Sequence, residues 1–196
     1  ITVRAMGFPA ALGILNGAFY LGGFALMQWN TRHNGVVLSS VFMKLGLLVP
    51  MVVSIFLFGE MPAALQWLGF ALAVGAIIMI NWKSGGSGAS SGLSLILLLL
   101  AGGSADCMSK VFEELGPPAM ANQFLFFTFF FAFVLCRDLM LRKGQRIAKS
   151  EIIYGCLIGL PNFYSSKFIL LALERLDAVI VYPSFSVGTL LVVTLT

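Results

Sequence analysis

Four ionisable side chains, Lys44, Asp106, Lys110 and Lys167, stand inside stretches that are otherwise almost free of charge. Placing such a group at mid-membrane costs about 2.5 to 3.5 kcal/mol on insertion scales, so a retained one faces a cavity or a partner. Counted from Gly35, Leu93 and Ile152, the starts of their apolar segments, Lys44, Asp106 and Lys167 lie at depths of about 14, 20 and 22 Å at helical rise. All three segments enter from the same face, so an Asp106–Lys167 pair across two helices is expected. A local pair, Asp106 with Lys110 four residues on, competes with it and is continued by Ser109 and Glu113. Three lysines against one carboxylate leave excess positive charge, which suits a substrate bearing a carboxylate or phosphate. For Lys110, near the end of its helix, extension to the membrane surface is the alternative.

Neutral polar residues complete the candidate lining. On a helix Asn162, Ser165 and Ser166 fall within about 100° of one another, with Tyr164 and Lys167 on the other side, while Asn16 and Tyr20 share a face. The substrate-binding candidates are therefore Asn16, Tyr20, Lys44, Asp106, Lys110, Asn162, Tyr164, Ser166 and Lys167. Hydrogen bonding between helices, with no ligand, is the competing role for the neutral ones. Gly13 and Gly17 have the spacing of a close helix crossing, and the aromatic run from Phe124 to Phe133 reads as a lipid-facing and packing surface.

The elements that must carry these residues follow from composition. Of 196 residues, 59% are apolar and only 10% charged, where a water-soluble domain needs about 25% charged residues. That excludes a cytosolic globular protein, a disordered chain and a nucleic-acid binder, despite a net charge of +4. Phe8 to Trp29, Met61 to Trp82, Leu115 to Cys136 and Ala178 to Thr196 carry no charge and are about the 20 residues a spanning helix needs. Gly35 to Phe58, Leu93 to Phe112 and Ile152 to Leu173 qualify despite internal charges. The expected fold is an all-α polytopic bundle with seven transmembrane helices. Cys107, Cys136 and Cys156 fall in apolar stretches and read as small buried hydrophobes. The chain opens on Ile rather than Met, and an incomplete start is expected.

The chain also resembles itself. At an offset of 144 residues Ile14, Phe19, Tyr20, Phe24 and Leu26 match Ile158, Phe163, Tyr164, Phe168 and Leu170, and Val37, Ser40, Leu47 and Val49 match Val181, Ser184, Leu191 and Val193. One period holds five helices, and an odd number of crossings inverts the second copy relative to the first, an arrangement many secondary transporters share. Residues 1–82 are then the last three helices of one repeat, 83–92 a Gly/Ser linker, and 93–196 the first four helices of the second. Ten helices are expected for the complete arrangement, two before Ile1 and one after Thr196.

Phe42 to Glu60, followed by Met61-Pro62 and then Gln66 to Asn81, resembles the closing helices of an EamA-type half of the drug/metabolite transporter superfamily. The shared pattern is a proline (Pro50) in the penultimate helix, Gly59-Glu60 at its end, then a glycine-bearing last helix. Ala172-Leu173, Ala178 and Tyr182-Pro183 are similar to that family's third-to-fourth helix junction. The resemblance implies a ten-helix carrier of small metabolites with a cavity between inverted halves. For Gly59-Glu60-Met61-Pro62 the physical reading is structural: Gly ends the helix, the Glu carboxylate sits beside the first N–H groups of the next helix, and Pro62 fits its first turn. A coupling-ion role for Glu60 is the alternative.

The expected activity is secondary transport of a small metabolite, anionic or amino-acid-like, by alternating access. A non-transporting membrane interaction or assembly protein is the alternative. No Walker motif points to ATP use, no nucleophile elbow is present, and the single histidine, His33, cannot build an HExxH site. An enzyme, a metal and a cofactor are therefore not expected. A retinal Schiff base on Lys167 would require a true seven-helix protein without the repeat. The expected partners are a small-molecule substrate and membrane lipid, with no nucleic acid; homodimerisation is open. The expected location is the plasma (bacterial inner) membrane. One face collects Arg32, Lys83, Arg137, Arg142, Lys143, Arg146 and Lys149, the other Arg4 and Arg175, which puts the first in the cytoplasm. The layout implied by the resemblance puts it outside, so orientation stays open.

Overall fold

The computed structural model describes residues 3–83, 89–144 and 148–185, and among them the chain is helical with no strand. The elements are α1 (Val3–Asn34), α2 (Val36–Leu45), α3 (Leu48–Leu57), α4 (Ala64–Lys83), α5 (Ala89–Leu115), a 3-10 turn Pro118–Met120, α6 (Ala121–Arg142) and α7 (Lys149–Leu173). A further helical segment covers 178–185. Of the seven expected spans, five are long and apolar enough among the described residues: Met6–Asn34, Val36–Leu57, Gly92–Leu115, Pro118–Arg142 and Lys149–Leu173. The chain is thus a helical membrane protein. The rest of the expected last span, 186–196, lies outside the described residues, as does 84–88 of the linker. Helix α5 takes over the remaining part of that linker by starting at Ala89.

Two boundaries differ from the sequence expectation for identifiable reasons. The expected span stops at Trp29, but α1 continues through Asn30 to Asn34. Asn30 Nδ2 donates to the Leu26 carbonyl at 2.9 Å and to the Ser94 carbonyl at 3.2 Å, and Asn34 Nδ2 donates to Asn30 Oδ1 at 2.6 Å. Their amides are thereby bonded within the helix and to α5, and the turn falls at Gly35 alone, whose φ of 84° favours glycine. Conversely, the expected continuous helix from Gly35 to Phe58 is broken into α2 and α3. Pro50 has no N–H to offer the Gly46 carbonyl four residues earlier, and that carbonyl accepts from Val49 at 2.9 Å instead. The Leu47 N–H likewise bonds back to the Lys44 carbonyl at 3.2 Å, in the tighter 3-10 pattern.

Helix α1 lies along α6 and α5. Gly13 and Gly17 press on α6: a Cβ at Gly17 would lie 2.7 Å from the Thr128 carbonyl oxygen, and one at Gly13 would lie 2.6 Å from Phe127 Cβ. Helix α5 is held between neighbours by a glycine pair. Gly102 meets Gly23 of α1, and Gly103 meets the Gly46 carbonyl at the α2–α3 break. Buried apolar clusters fill the remaining space. One stacks Phe112 of α5 on Phe124 of α6 at 4.5 Å and adds Leu170 of α7; another joins Leu47 and Met51 to Leu173, Val181 and Tyr182. Phe126, Phe130 and Phe133 point outward at helical spacing.

Contacts set the helix directions. Asn30 near the end of α1 meets Ser94 near the start of α5, and Gly13 of α1 faces Phe124 while Gly17 faces Ala132 of α6. Leu170 near the end of α7 clusters with Phe112 near the end of α5 and Phe124 near the start of α6. The ends of α1 and α6 and the starts of α2 and α7 therefore share one membrane face, called here the basic face. The ends of α3, α5 and α7 share the other.

Candidate functional site

A cavity of about 180 Å³ opens beside the α2–α3 break. Helix α1 contributes Tyr20 and Phe24, α2 Lys44, α5 Asp106, α7 Asn162 and Ser166, and the segment 178–185 Phe185. The break places Lys44 in the last turn of α2. The Gly102–Gly103 pair brings α5 close enough for Asp106, one turn later, to reach the same space.

Opposite charges face this cavity without touching. No ion pair within 4.0 Å joins Lys44 to Asp106 among the described residues. The Lys44 ammonium lies 5.2 Å from the centre of the Phe185 ring, a cation–π arrangement. The floor is polar and neutral: the Tyr20 and Ser166 hydroxyls are 2.9 Å apart, and Ser166 Oγ donates to the Asn162 carbonyl at 3.1 Å. Tyr182, fully buried, donates from its hydroxyl to the Asp106 backbone carbonyl at 2.9 Å. Its phenol therefore fixes the helix turn that carries the carboxylate.

Five of the nine candidate residues line this cavity: Tyr20, Lys44, Asp106, Asn162 and Ser166. Asn16 does not; its Nδ2 donates to Thr128 Oγ1 at 3.4 Å, a link between α1 and α6. Tyr164, the repeat mate of Tyr20, points outward at 52% exposure beside Phe168. Lys167 sits on the other side of α7, in a cleft with Asn122, Phe129 and Phe163. The expected Asp106–Lys167 pair is therefore absent, because the depth estimate set their height but not their direction around the helix.

Lys110 overturns two expectations. It neither bonds Asp106 nor extends to the surface, since it is 2% exposed. Its ammonium is met by Glu60 at 2.8 Å, Glu113 at 2.7 Å and Glu114 at 2.6 Å. A buried ammonium needs such partners to offset the loss of water, and removing one side of a buried pair is costly. Glu113 and Glu114 come from the same helix, at the three- and four-residue spacings that share a face. Glu60 comes from the turn after α3. Gly59, with φ of 71°, turns the chain there.

The second oxygen of Glu60 accepts the Val179 N–H at 3.2 Å, at the start of the segment 178–185. The sequence reading put this carboxylate at the start of α4. There, Gln66 Oε1 takes the Ala63 N–H at 2.6 Å, half of a capping box, with Pro62 just before it. Gln66 Nε2 also donates to the Val179 carbonyl at 3.1 Å, so Val179 is tied once to the turn after α3 and once to the start of α4. Sequence reasoning put Glu113 on the Lys110 face but missed Glu114 and Glu60 as its partners; it missed Tyr182 and Phe185 because only folding brings them to Asp106 and Lys44.

The expected positive excess in the interior is therefore corrected. Lys110 is neutralised by carboxylates and Lys167 lies elsewhere, which leaves the cavity one cation and one anion among the described residues. No protein-family model matches the chain, and no curated protein or solved structure matches it at a significant level.

Proposed function

We propose that this chain is part of a secondary carrier that moves a small solute by alternating access, and that it resembles an EamA-type transporter carrying ten helices in two inverted halves. The observation that carries this reading is a cavity that pairs Lys44 and Asp106 with neutral hydroxyl and amide groups beside a discontinuous helix. Binding sites of secondary carriers are characteristically built at such breaks near mid-membrane. The opposed directions of α1 and α7, the helices related by the 144-residue repeat, support the inverted arrangement: α6 runs parallel to α1, and the end of α7 packs at the start of α6.

The balance of charge favours an amino-acid-like solute over a plain anion. An ammonium group would pair with Asp106, a carboxylate with Lys44, and the Tyr20–Ser166 pair would supply neutral hydrogen bonds. About 180 Å³ restricts the solute to a small one. The test is counterflow in proteoliposomes holding the full chain, with labelled amino acids, simple carboxylates, phosphate esters and amines offered in parallel. Exchange of a small zwitterion supports the reading. Exchange of simple anions alone would restore the anionic substrate class, and no exchange of any solute would favour the membrane assembly role.

A further inference from the structure

The cluster around Lys110 lies between the cavity and the membrane face where α3, α5 and α7 end. Asp106 and Lys110 are four residues apart on α5, about 6 Å along its axis. Three otherwise separate parts of the chain meet at this point. The Glu60 carboxylate, from the turn after α3, bridges the Lys110 ammonium of α5 at 2.8 Å and the Val179 N–H at 3.2 Å. Glu60 is 8% exposed and Phe58 lies over the ammonium, its ring centre 5.7 Å away. Glu60 and Phe58 thus cover the ammonium, while Glu114, 34% exposed, reaches the surface. The segment 178–185 then leads straight back to the cavity. Its first turn holds Glu60, Tyr182 bonds the Asp106 carbonyl, and Phe185 lines the cavity under Lys44.

We infer that the Glu60 bridge to Lys110 and Val179 is a latch that closes the cavity toward the face where α3, α5 and α7 end, with the segment 178–185 as the moving part. This regulates the cavity of the preceding subsection and rests on the carrier reading. Glu113 and Glu114 make Lys110 a partner that can be released. When Glu60 withdraws, the ammonium keeps two carboxylates of its own helix and is not stranded, so opening does not carry the cost of an unpaired buried cation. Val179 loses its capping carboxylate in the same step, which leaves the Gln66–Val179 and Tyr182–Asp106 hydrogen bonds to hold the segment, and it tilts as these give way. Phe185 then leaves the cavity mouth. The latch is selective by construction: one of its three carboxylates links distant parts of the chain, and the other two are local.

The test reads access to the cavity and not transport. In the full chain with Cys107, Cys136 and Cys156 replaced by alanine, Ser166→Cys places one thiol in the cavity. A membrane-impermeant thiol reagent is applied to sealed vesicles of each orientation. Glu60→Gln should speed labelling from the latch face by about tenfold or more and leave labelling from the basic face unchanged or slower, the mark of a shifted two-state equilibrium. Glu114→Gln, which leaves the Glu60 bridge intact, should label as the parent does. Tyr182→Phe should speed labelling from the latch face by a smaller factor, and it carries the test if Glu60→Gln does not fold. Unchanged rates in both variants, equal acceleration from both faces, or an equal effect of Glu114→Gln would overturn the latch. Counterflow in the unsubstituted chain, run beside it, separates the two ideas: solute exchange without a labelling change removes only the latch, and a labelling change without exchange of any solute removes only the carrier reading.

Discussion

At the scale of single residues, the separation between Lys44 and Asp106 matters more than either charge. Two opposite charges that met in this cavity would satisfy each other and leave nothing for a solute. Held apart, each retains an unmet demand that an ammonium and a carboxylate on one small molecule would fill together. Asp106→Asn and Lys44→Met should each lower uptake of a zwitterionic solute by about tenfold or more, since charge-assisted hydrogen bonds are worth roughly 1.5–3 kcal/mol. The double variant should lose less than the product of the two, because both groups hold one molecule; initial uptake rates in vesicles check this cycle. Strictly multiplicative losses would place the two residues in separate roles. The residue scale is also where the sequence was least legible. Depth along a helix follows from counting, so Lys44, Asp106 and Lys167 could be ranked by height. Direction around the axis depends on which neighbour each helix packs against, and that sent Lys167 to the Phe163 side and Asp106 to the cavity.

At the scale of elements, the apolar spans were legible because lipid imposes both length and composition. The breaks were less so. Pro50 marks the penultimate helix in sequence, yet the interruption it causes lies four residues earlier, at Gly46, where the missing hydrogen bond falls. Asn30 and Asn34 lie past the expected end of the first span, yet form a bonded ladder that extends α1 to Gly35. The glycines divide in the same way. A Cβ at Gly17 would lie 2.7 Å from a backbone oxygen of α6, whereas one at Gly69 in α4 would meet open space. Gly17→Val should therefore sharply lower the melting temperature of the detergent-solubilised protein, because the obstruction is backbone and cannot rotate away. Gly69→Ala should leave it unchanged or raise it, consistent with a helix-propensity gain of about 0.8–1.0 kcal/mol. Equal effects at the two positions would contradict the α1–α6 crossing described above.

At the scale of the whole molecule, the described charges are unevenly shared between the two faces. Arg32, Arg137, Arg142, Lys143 and Lys149 gather on the basic face, against Arg175 on the other. Short loops rich in lysine and arginine are retained in the cytoplasm. In the cysteine-free background, a single cysteine at Lys143 should accordingly react with an impermeant reagent from the cytoplasmic side, and one at Arg175 from outside. The reverse pattern would favour the layout implied by the family resemblance. With the basic face inside, the Glu60–Lys110 latch would close the cavity toward the outside.

The paired glycines of α5 have a mechanical meaning for this assembly. Gly102 lies against Gly23 and the Met43 side chain, and Gly103 against the Gly46 carbonyl and the Val49 side chain, with Asp106 one turn to one side. Where one partner of a crossing has no side chain, less must unmesh before the helices can swivel. A crossing of this kind behaves as a fulcrum, about which a small displacement at the Lys110 end of the lever reappears, reversed in sense, at its Ser94 end.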